Sequence, residues 1–380
     1  MTNKLMIAID PISPKFSVQL QLIKTLIAHL RNLYEVIIFS PYLPNETVQE
    51  LQELNASVRV GKKNGLLLNR LLSLFGASNE TTLWIEGWIR ENILYRNSQE
   101  LSSEIDASFP VKVLNLSMTN PVKSDVWWIQ GPPIDHAIKN YSETSLPAKI
   151  TRLLLGKILL HLEKRTLTKY KKNAKKKVTN SKHLESLYNA MGFNVDTTIY
   201  TTKDFSSFKP TTTAPSRDFV LVYLGKETDL EPIKDLIWNG VKIVAFGSKY
   251  ISSRQYHEIR NQVLFKENIS DKSLANLYTN ALFTAFPFTD EPFGYVPVES
   301  MACGTPVLTY NKQGPSETVI NGVTGWLTES KTAFVQCGVK LWKSRKTLLS
   351  PGDCIMRASQ FSIERNIEKI IVLLEGAISE

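Results

Sequence analysis

Glu291 and Glu299 lie eight residues apart in the run EPFGYVPVESMACGTPVLTY, residues 291–310. Between and after them, Pro292 and Gly294 supply turn geometry, Pro297 suits the first turn of a helix, and Gly304 suits its end. A helix that starts here points unpaired backbone N–H groups and the positive end of its dipole forward, which makes an anion site suited to a pyrophosphate. Carboxylates are poor phosphate ligands but good acceptors for paired hydroxyls. Glu291 before the turn, and Glu299 in the expected first helical turn, therefore suit the sugars at the two ends of a nucleotide diphosphate sugar. The competing reading of the same pair is a solvated loop acid followed by a glutamate that the helix dipole favours.

The elements that must position such a pair are legible around it. A chain of 380 residues with 43% hydrophobic content exceeds what one core usually serves, so two domains are expected. In the first half, KLMIAID reads as a buried strand, VQLQLIKTLIAHLRNL places Leu22, Ile23, Leu26, Ile27 and Leu30 on one helical face, and YEVIIFS reads as the next strand. TLWIEGW, VKVLNLS and DVWWIQ continue the series. Residues 200–218, rich in Thr, Ser and Pro, have the look of an interdomain connection. Beyond them FVLVYLG, VKIVAFG, VLFKE, ALFTAF and TPVLTY are strand candidates, with a helix at DKSLANLYTNA and a terminal amphipathic helix whose apolar side holds Ile363, Ile367, Ile370, Ile371 and Leu374. Such β–α alternation implies an α/β fold of two doubly wound, Rossmann-like parallel sheets, with ligands bound in a cleft at the carboxyl ends of their strands.

The run at 291–310 closely resembles the E-x7-E segment of family 4 glycosyltransferases of the GT-B fold. VYLGK, VKIVAFG, DKSLANLYTNALFTAFPF and GPSETVINGVTGWL are similar, in order, to the blocks around that segment, and VTNSKH resembles an asparagine-serine signature near the end of the first domain. The resemblance implies GT-B architecture: an acceptor-binding domain at 1–205, a nucleotide-sugar-binding domain at 206–358, and a terminal helix at 359–380 that crosses back to the first domain. It implies a retaining hexosyltransferase that needs no metal or other cofactor beyond its nucleotide sugar, and in which the leaving phosphate takes the acceptor's proton. Glu299 would bind ribose hydroxyls. Glu291, with the backbone of Phe293, Gly294 and Tyr295 and with Val296 beside them, would hold the transferred sugar, and Lys226 would contact the pyrophosphate.

The chain departs from the family pattern at three places. Glu231 stands where a second phosphate lysine is usual, and Lys234 would replace that lysine only in a reshaped loop. IDPISPKFSVQ lacks the usual glycine-rich loop, and Gln130 occupies the place of an active-site histidine, for which His136 is a candidate substitute. These departures motivate an alternative, a nucleotide-sugar-binding protein without turnover.

Charge is concentrated. The chain carries +9, and residues 149–182 alone hold twelve Lys or Arg against one acid, Glu163. A helical apolar set, Leu155, Ile158, Leu159 and Leu162, precedes the densest lysines. Three readings stand: a solvated helix end, a basic surface meeting anionic lipid, or a nucleic-acid contact. The last is disfavoured because only Tyr170 is interleaved for stacking. An adaptor on the same fold, binding membrane or nucleic acid, is the remaining alternative function. Of Trp127 and Trp128, adjacent on a strand, at most one is expected to line the cleft. Cys303, Cys337 and Cys354 form no CxxC pair and read as buried small residues, not as a disulfide framework or zinc site. The opening MTNKLMIAIDPIS is too short in apolar residues for a signal-peptide core, and no run reaches a membrane span, so a cytoplasmic location is expected, with peripheral attachment to the membrane face as its extension.

Overall fold

The computed structural model describes residues 3–10, 18–41, 43–60, 111–133, 146–225, 227–247, 259–345 and 349–376. The chain forms two compact units, Met1–Thr201 with Ile363–Glu380, and Thr202–Ser362. The expected strand TLWIEGW lies outside the described residues.

The first unit runs β1 (Lys4–Ala8), α1 (Val18–Leu30), β2 (Glu35–Ser40), α2 (Asn45–Glu53), β3 (Ser57–Val60), β4 (Val111–Asn115), β5 (Ser124–Ile129), α3 (Leu146–Asn173), β6 (Ala174–Thr179), α4 (Lys182–Ala190) and β7 (Thr197–Thr198). Its strands pair in parallel in the order β3-β2-β1-β4-β5-β6-β7. Strand periodicity divides the side chains between the two faces of the sheet, and Met6, Ala8, Ile37 and Phe39 form a cluster apart from the two that follow. Leu5 and Ile7 of β1 and Val126 and Trp128 of β5 join the Leu22, Ile23, Leu26, Ile27 and Leu30 face of α1. On β5 the alternate residues Trp127 and Ile129 enter a second cluster with Leu167, Tyr170 and Tyr188.

That division agrees with the expectation that at most one tryptophan is left for a cleft: the two face opposite ways, and both rings are fully buried. Trp127 stacks on Tyr170 with centroids 4.0 Å apart, and its indole N–H donates to the Ser117 carbonyl at 3.1 Å. Trp128 donates to the Ile199 carbonyl at 3.0 Å. Each large ring has its polar edge satisfied, so neither is spare for a ligand.

The basic segment differs from expectation. Its end is strand β6, where Lys175 and Lys176 are exposed and pair with Asp125 (2.7 Å) and Asp196 (3.4 Å), while Val178 and Thr179 are buried. On α3, Leu162 is buried as expected but Ile158 is 55% exposed. The face of α3 that packs inward carries Leu162, Glu163, Thr166, Leu167 and Tyr170 instead, three to four residues apart as one helical side requires. The side chains of Leu155 and Leu159 lie outside the described residues.

The second unit runs β8 (Val220–Leu224), α5 (Leu230–Trp238), β9 (Ile243–Gly247), β10 (Leu264–Glu267), α6 (Asp271–Asn280), β11 (Thr284–Phe286), α7 (Tyr295–Ala302), β12 (Val307–Tyr310), α8 (Gln313–Thr318), β13 (Gly325–Thr328), α9 (Lys331–Ser344) and α10 (Pro351–Ala358). Its parallel sheet has the order β10-β9-β8-β11-β12-β13. The chain then returns as α11 (Ile363–Glu375), counted with the first unit. Ile363, Ile367, Ile370, Leu373 and Leu374 of α11 are buried in the same core as α1, while Ile371 is only partly covered. Its last turn is held by Lys112, which donates to the Leu374 carbonyl at 2.6 Å and pairs with Glu375 at 3.2 Å, and by Tyr34, which donates to Glu375.

Candidate functional site

In the second unit β8 is where the strand order reverses, with β9 and β10 on one side and β11 to β13 on the other. The loops after β8 and β11 leave the carboxyl edge in opposite senses, the place where open parallel sheets take ligands. Here the two loops are stitched together: Asp229 N–H donates to the Pro287 carbonyl at 3.0 Å, and Thr289 N–H donates to the Glu227 carbonyl at 2.8 Å, around an antiparallel bridge between Thr228 and Phe288.

Helix α7 follows the β11 loop. Gly294, at φ +96°, precedes its first residue, so the helix starts earlier than expected and Glu299 falls in its second turn. At the other end Gly304, at φ +77°, donates its N–H to the Met301 carbonyl (2.9 Å), and Thr305 N–H reaches the Ser300 carbonyl (3.0 Å). This paired closure needs a left-handed residue at Gly304, which a side chain would disfavour.

The Glu291 carboxylate turns back onto the start of the helix. One of its oxygens accepts from the N–H groups of Phe293 (3.2 Å) and Gly294 (3.0 Å). A negative group thus already lies against the positive end of α7, as its dipole favours. Phe293 is buried, with its ring edge-on to Tyr295 and Phe361, while Tyr295 and Val296 are half-buried.

Glu299 is 7% exposed. One carboxylate oxygen pairs with the Lys203 ammonium, and the other accepts from the Tyr278 hydroxyl at 3.0 Å. Burial, reinforced by the charge of Glu299, pushes the Tyr278 phenol well above its usual value, so it remains a donor. Burial first, and Glu299 second, push the Cys303 thiol up to about 12. The carboxylate is therefore a fixed, oriented acceptor beside inert neighbours.

Lys226 and His136 lie outside the described residues. Lys234 sits on α5 and pairs with Glu231 at 2.8 Å, one helical turn apart, in place of a loop position. Gln130 belongs to the first unit, where its carbonyl accepts from the Asn180 side chain at 3.1 Å. The adjacent Ser181 caps α4 by accepting from Leu184 N–H at 3.2 Å. The Asn-Ser pair thus serves the local structure, since Asn180 fastens the end of β5 and Ser181 starts a helix. Cys303 and Cys354 are buried as expected, whereas Cys337 is only half-buried. Three residues that spacing does not single out, Lys203, Tyr278 and Gln313, make direct contacts with the two glutamates. Among the described residues no group of three or more His, Cys, Asp or Glu is placed to hold a metal.

Residues 218–338 match the family described as Glycosyl transferases group 1. Over 68 residues the chain is 40% identical to the alpha-1,3/1,6-mannosyltransferase alg-2 of Neurospora crassa, covering 18% of this chain and 14% of that protein. Over 108 residues it is 33% identical to the D-inositol 3-phosphate glycosyltransferase of Geodermatophilus obscurus, covering 28% of this chain and 24% of that one. The chain therefore spans no more than 24% of the length of either of these relatives. Among solved structures, Anabaena HepE in complex with UDP superposes with a TM-score of 0.62 at 15% identity, covering 98% of this chain and 100% of that one. A glycosyltransferase of Rickettsia africae does so with a TM-score of 0.62 at 14% identity, covering 100% of both. At such identities the likeness is one of fold.

Proposed function

We propose that this chain, a GT-B protein whose residues 218–338 form a group 1 glycosyltransferase domain, moves a hexose from a nucleotide diphosphate sugar to a hydroxyl of a glycan or lipid-linked acceptor. One observation carries the reading: at the switch point of the second unit's sheet, a single helix start is flanked by two carboxylates, Glu291 and Glu299, that differ in burial and partners. Glu299, fixed by Lys203 and Tyr278, accepts from the ribose hydroxyls. The α7 N-terminus and Lys226 serve the diphosphate, and Glu291 yields its hold on the Phe293 and Gly294 N–H groups to take the hydroxyls of the sugar. In the transfer the bond from the anomeric carbon to the diphosphate oxygen breaks and a bond to the acceptor oxygen forms. The acceptor's proton passes to the leaving phosphate, configuration is retained, and no metal is required. HepE, which shares this fold, has been solved with UDP and with UDP-glucose, which supports a donor of this class.

A lipid-borne acceptor is favoured by the exposed side of α3, where Lys157, His161, Lys164, Arg165, Lys171 and Lys172 follow one another along a single helical face. Such a stripe suits an anionic headgroup surface, and no described helix is long and apolar enough to cross a membrane. Binding to anionic but not neutral vesicles, lost when Lys164, Arg165, Lys171 and Lys172 become glutamate, is the expected result.

The donor reading is tested by thermal stabilisation with UDP, GDP, ADP and dTDP and their hexose esters, on wild type and Glu299→Ala in parallel. A ligand at about 100 times its dissociation constant adds about 2.7 kcal/mol. One nucleotide should stabilise the wild type and not the variant. Stabilisation by none, or equal stabilisation of both proteins, sinks the reading.

A further inference from the structure

Backbone and side chains from outside the Glu291 loop hold it at three points. Gln313 spans two of them with one carboxamide: its Oε1 accepts from the Glu291 N–H at 2.8 Å, and its Nε2 donates to Asp290 Oδ1 at 2.8 Å. The third is the Gly314 N–H, which donates to the Glu291 carbonyl at 3.1 Å. The orientation of that carboxamide is fixed by chemistry, because a backbone N–H needs an acceptor and a carboxylate needs a donor. Gln313 adopts φ +54°, a left-handed conformation that costs a side-chain-bearing residue energy and that glycine would adopt freely. The next residue must be glycine, since a Cβ on Gly314 would fall 2.3 Å from both the Phe293 Cα and the Pro292 carbonyl oxygen. The chain thus keeps a strained glutamine where only its carboxamide can bridge two adjacent residues of the loop.

We infer that Gln313, acting with Asp290, is a positioning residue that sets Glu291 for the sugar of the donor and so governs sugar recognition separately from nucleotide recognition. The inference rests on the donor reading above. Glu291 and Glu299 have separate supports: Lys203 and Tyr278 touch Glu299, while Gln313 touches only the Glu291 side. Loosening the clamp therefore alters how the sugar is held and leaves the ribose acceptor in place.

The bridge has a polarity that can be reversed. Gln313→Glu keeps an acceptor for the Glu291 N–H but sets a second carboxylate against Asp290. Adding Asp290→Asn restores a donor and acceptor across the same gap. Affinities are measured by calorimetry for the nucleotide diphosphate and for its hexose ester, using whichever pair from the UDP, GDP, ADP and dTDP panel binds the wild type. Gln313→Glu should weaken the ester about tenfold and the free nucleotide less than about twofold, and the double variant should recover most of the loss. Gln313→Gly, which relieves the backbone strain but removes the clamp, should lose ester affinity while melting no lower than the wild type. The inference is overturned if Gln313→Glu binds the ester normally, if nucleotide and ester weaken equally, or if the double variant fails to recover. A wild type that binds no nucleotide sugar sinks the functional reading and this inference with it. A binding wild type with an unaffected Gln313→Glu sinks the inference alone.

Discussion

Lys203 and Glu299, 96 positions apart in the chain, form an ion pair in which the lysine side chain is 24% exposed and the glutamate 9%. The lysine also lies over the Phe208 ring, 4.3 Å from its centroid, so its stem and head are both placed. Removing one partner strands a buried charge, which costs more than the intact pair contributes.

Lys203→Met should accordingly lower stability by about 3 kcal/mol, the low end of what breaking a buried pair costs, because the lysine retains some solvent. Lys203→Met with Glu299→Gln should recover part of it. Urea unfolding midpoints of the two variants decide the matter, and a double variant less stable than the single one would contradict the argument.

Docking of α11 should weaken in acid. The Tyr34 hydroxyl first, and Lys112 second, hold the Glu375 carboxyl below its ordinary value of 4.5. A depressed carboxyl contributes stability that is fully present above its unfolded value and is lost as pH falls through the folded one. The melting temperature should therefore decline below about pH 4.5 more steeply in wild type than in Glu375→Gln. Parallel pH profiles of the two proteins would refute this.

Trp127 is the anchor of its cluster, stacked on Tyr170, edge-on to Tyr188 at 5.8 Å and hydrogen-bonded to Ser117. Trp127→Ala should cost about 3–5 kcal/mol, the sum of lost transfer energy and the cavity left behind. Trp127→Phe, which keeps a ring in the stack and leaves the Ser117 carbonyl its bond from the Tyr170 hydroxyl at 2.5 Å, should cost less, about 1–3 kcal/mol, from the smaller ring and the one hydrogen bond lost. Chemical denaturation of both variants measures the difference.

Burial pushes the Cys303 and Cys354 thiols up to about 12, so neither is a thiolate at neutral pH. Iodoacetamide at pH 8 should label Cys337, the half-buried one, before the other two in the native protein, and all three only in denaturant. Rapid native labelling of Cys303 would show that the α7 end opens.

Much of the fold is legible where local pattern and tertiary role coincide. Leu22, Ile23, Leu26, Ile27 and Leu30 of α1 are all buried, and the apolar runs at β1, β2, β5, β8 and β9 are strands, because parallel sheets bury both faces. β6 is hidden because Lys175 to Lys177 read as part of a basic helix, although only Ala174, Val178 and Thr179 reach the interior. Short β13 offers no run long enough to read. At the site, a pair of glutamates around a turn is a local signal, and the group 1 match over 218–338 bears out the family reading. Which side chain holds each glutamate is a tertiary matter. Lys203 stands in a segment that composition marks only as a connection, and Gln313 makes its contact 22 positions away. The early start of α7 follows from the left-handed Gly294, which ends the loop sooner than Pro297 alone suggests.

The backbone bridge between Lys203 and Ser362, with Lys203 N–H donating to the Phe361 carbonyl at 3.4 Å, joins the two ends of the second unit. Residues 202–362 therefore behave as a cassette whose entry and exit coincide. A short loop across Lys203 and Ser362 would close this segment into a circle without stretching it, and new termini could be opened at a distant exposed turn. In inheritance the same adjacency lets a segment of this kind be exchanged whole, with its entry and exit rejoined across a single backbone bridge.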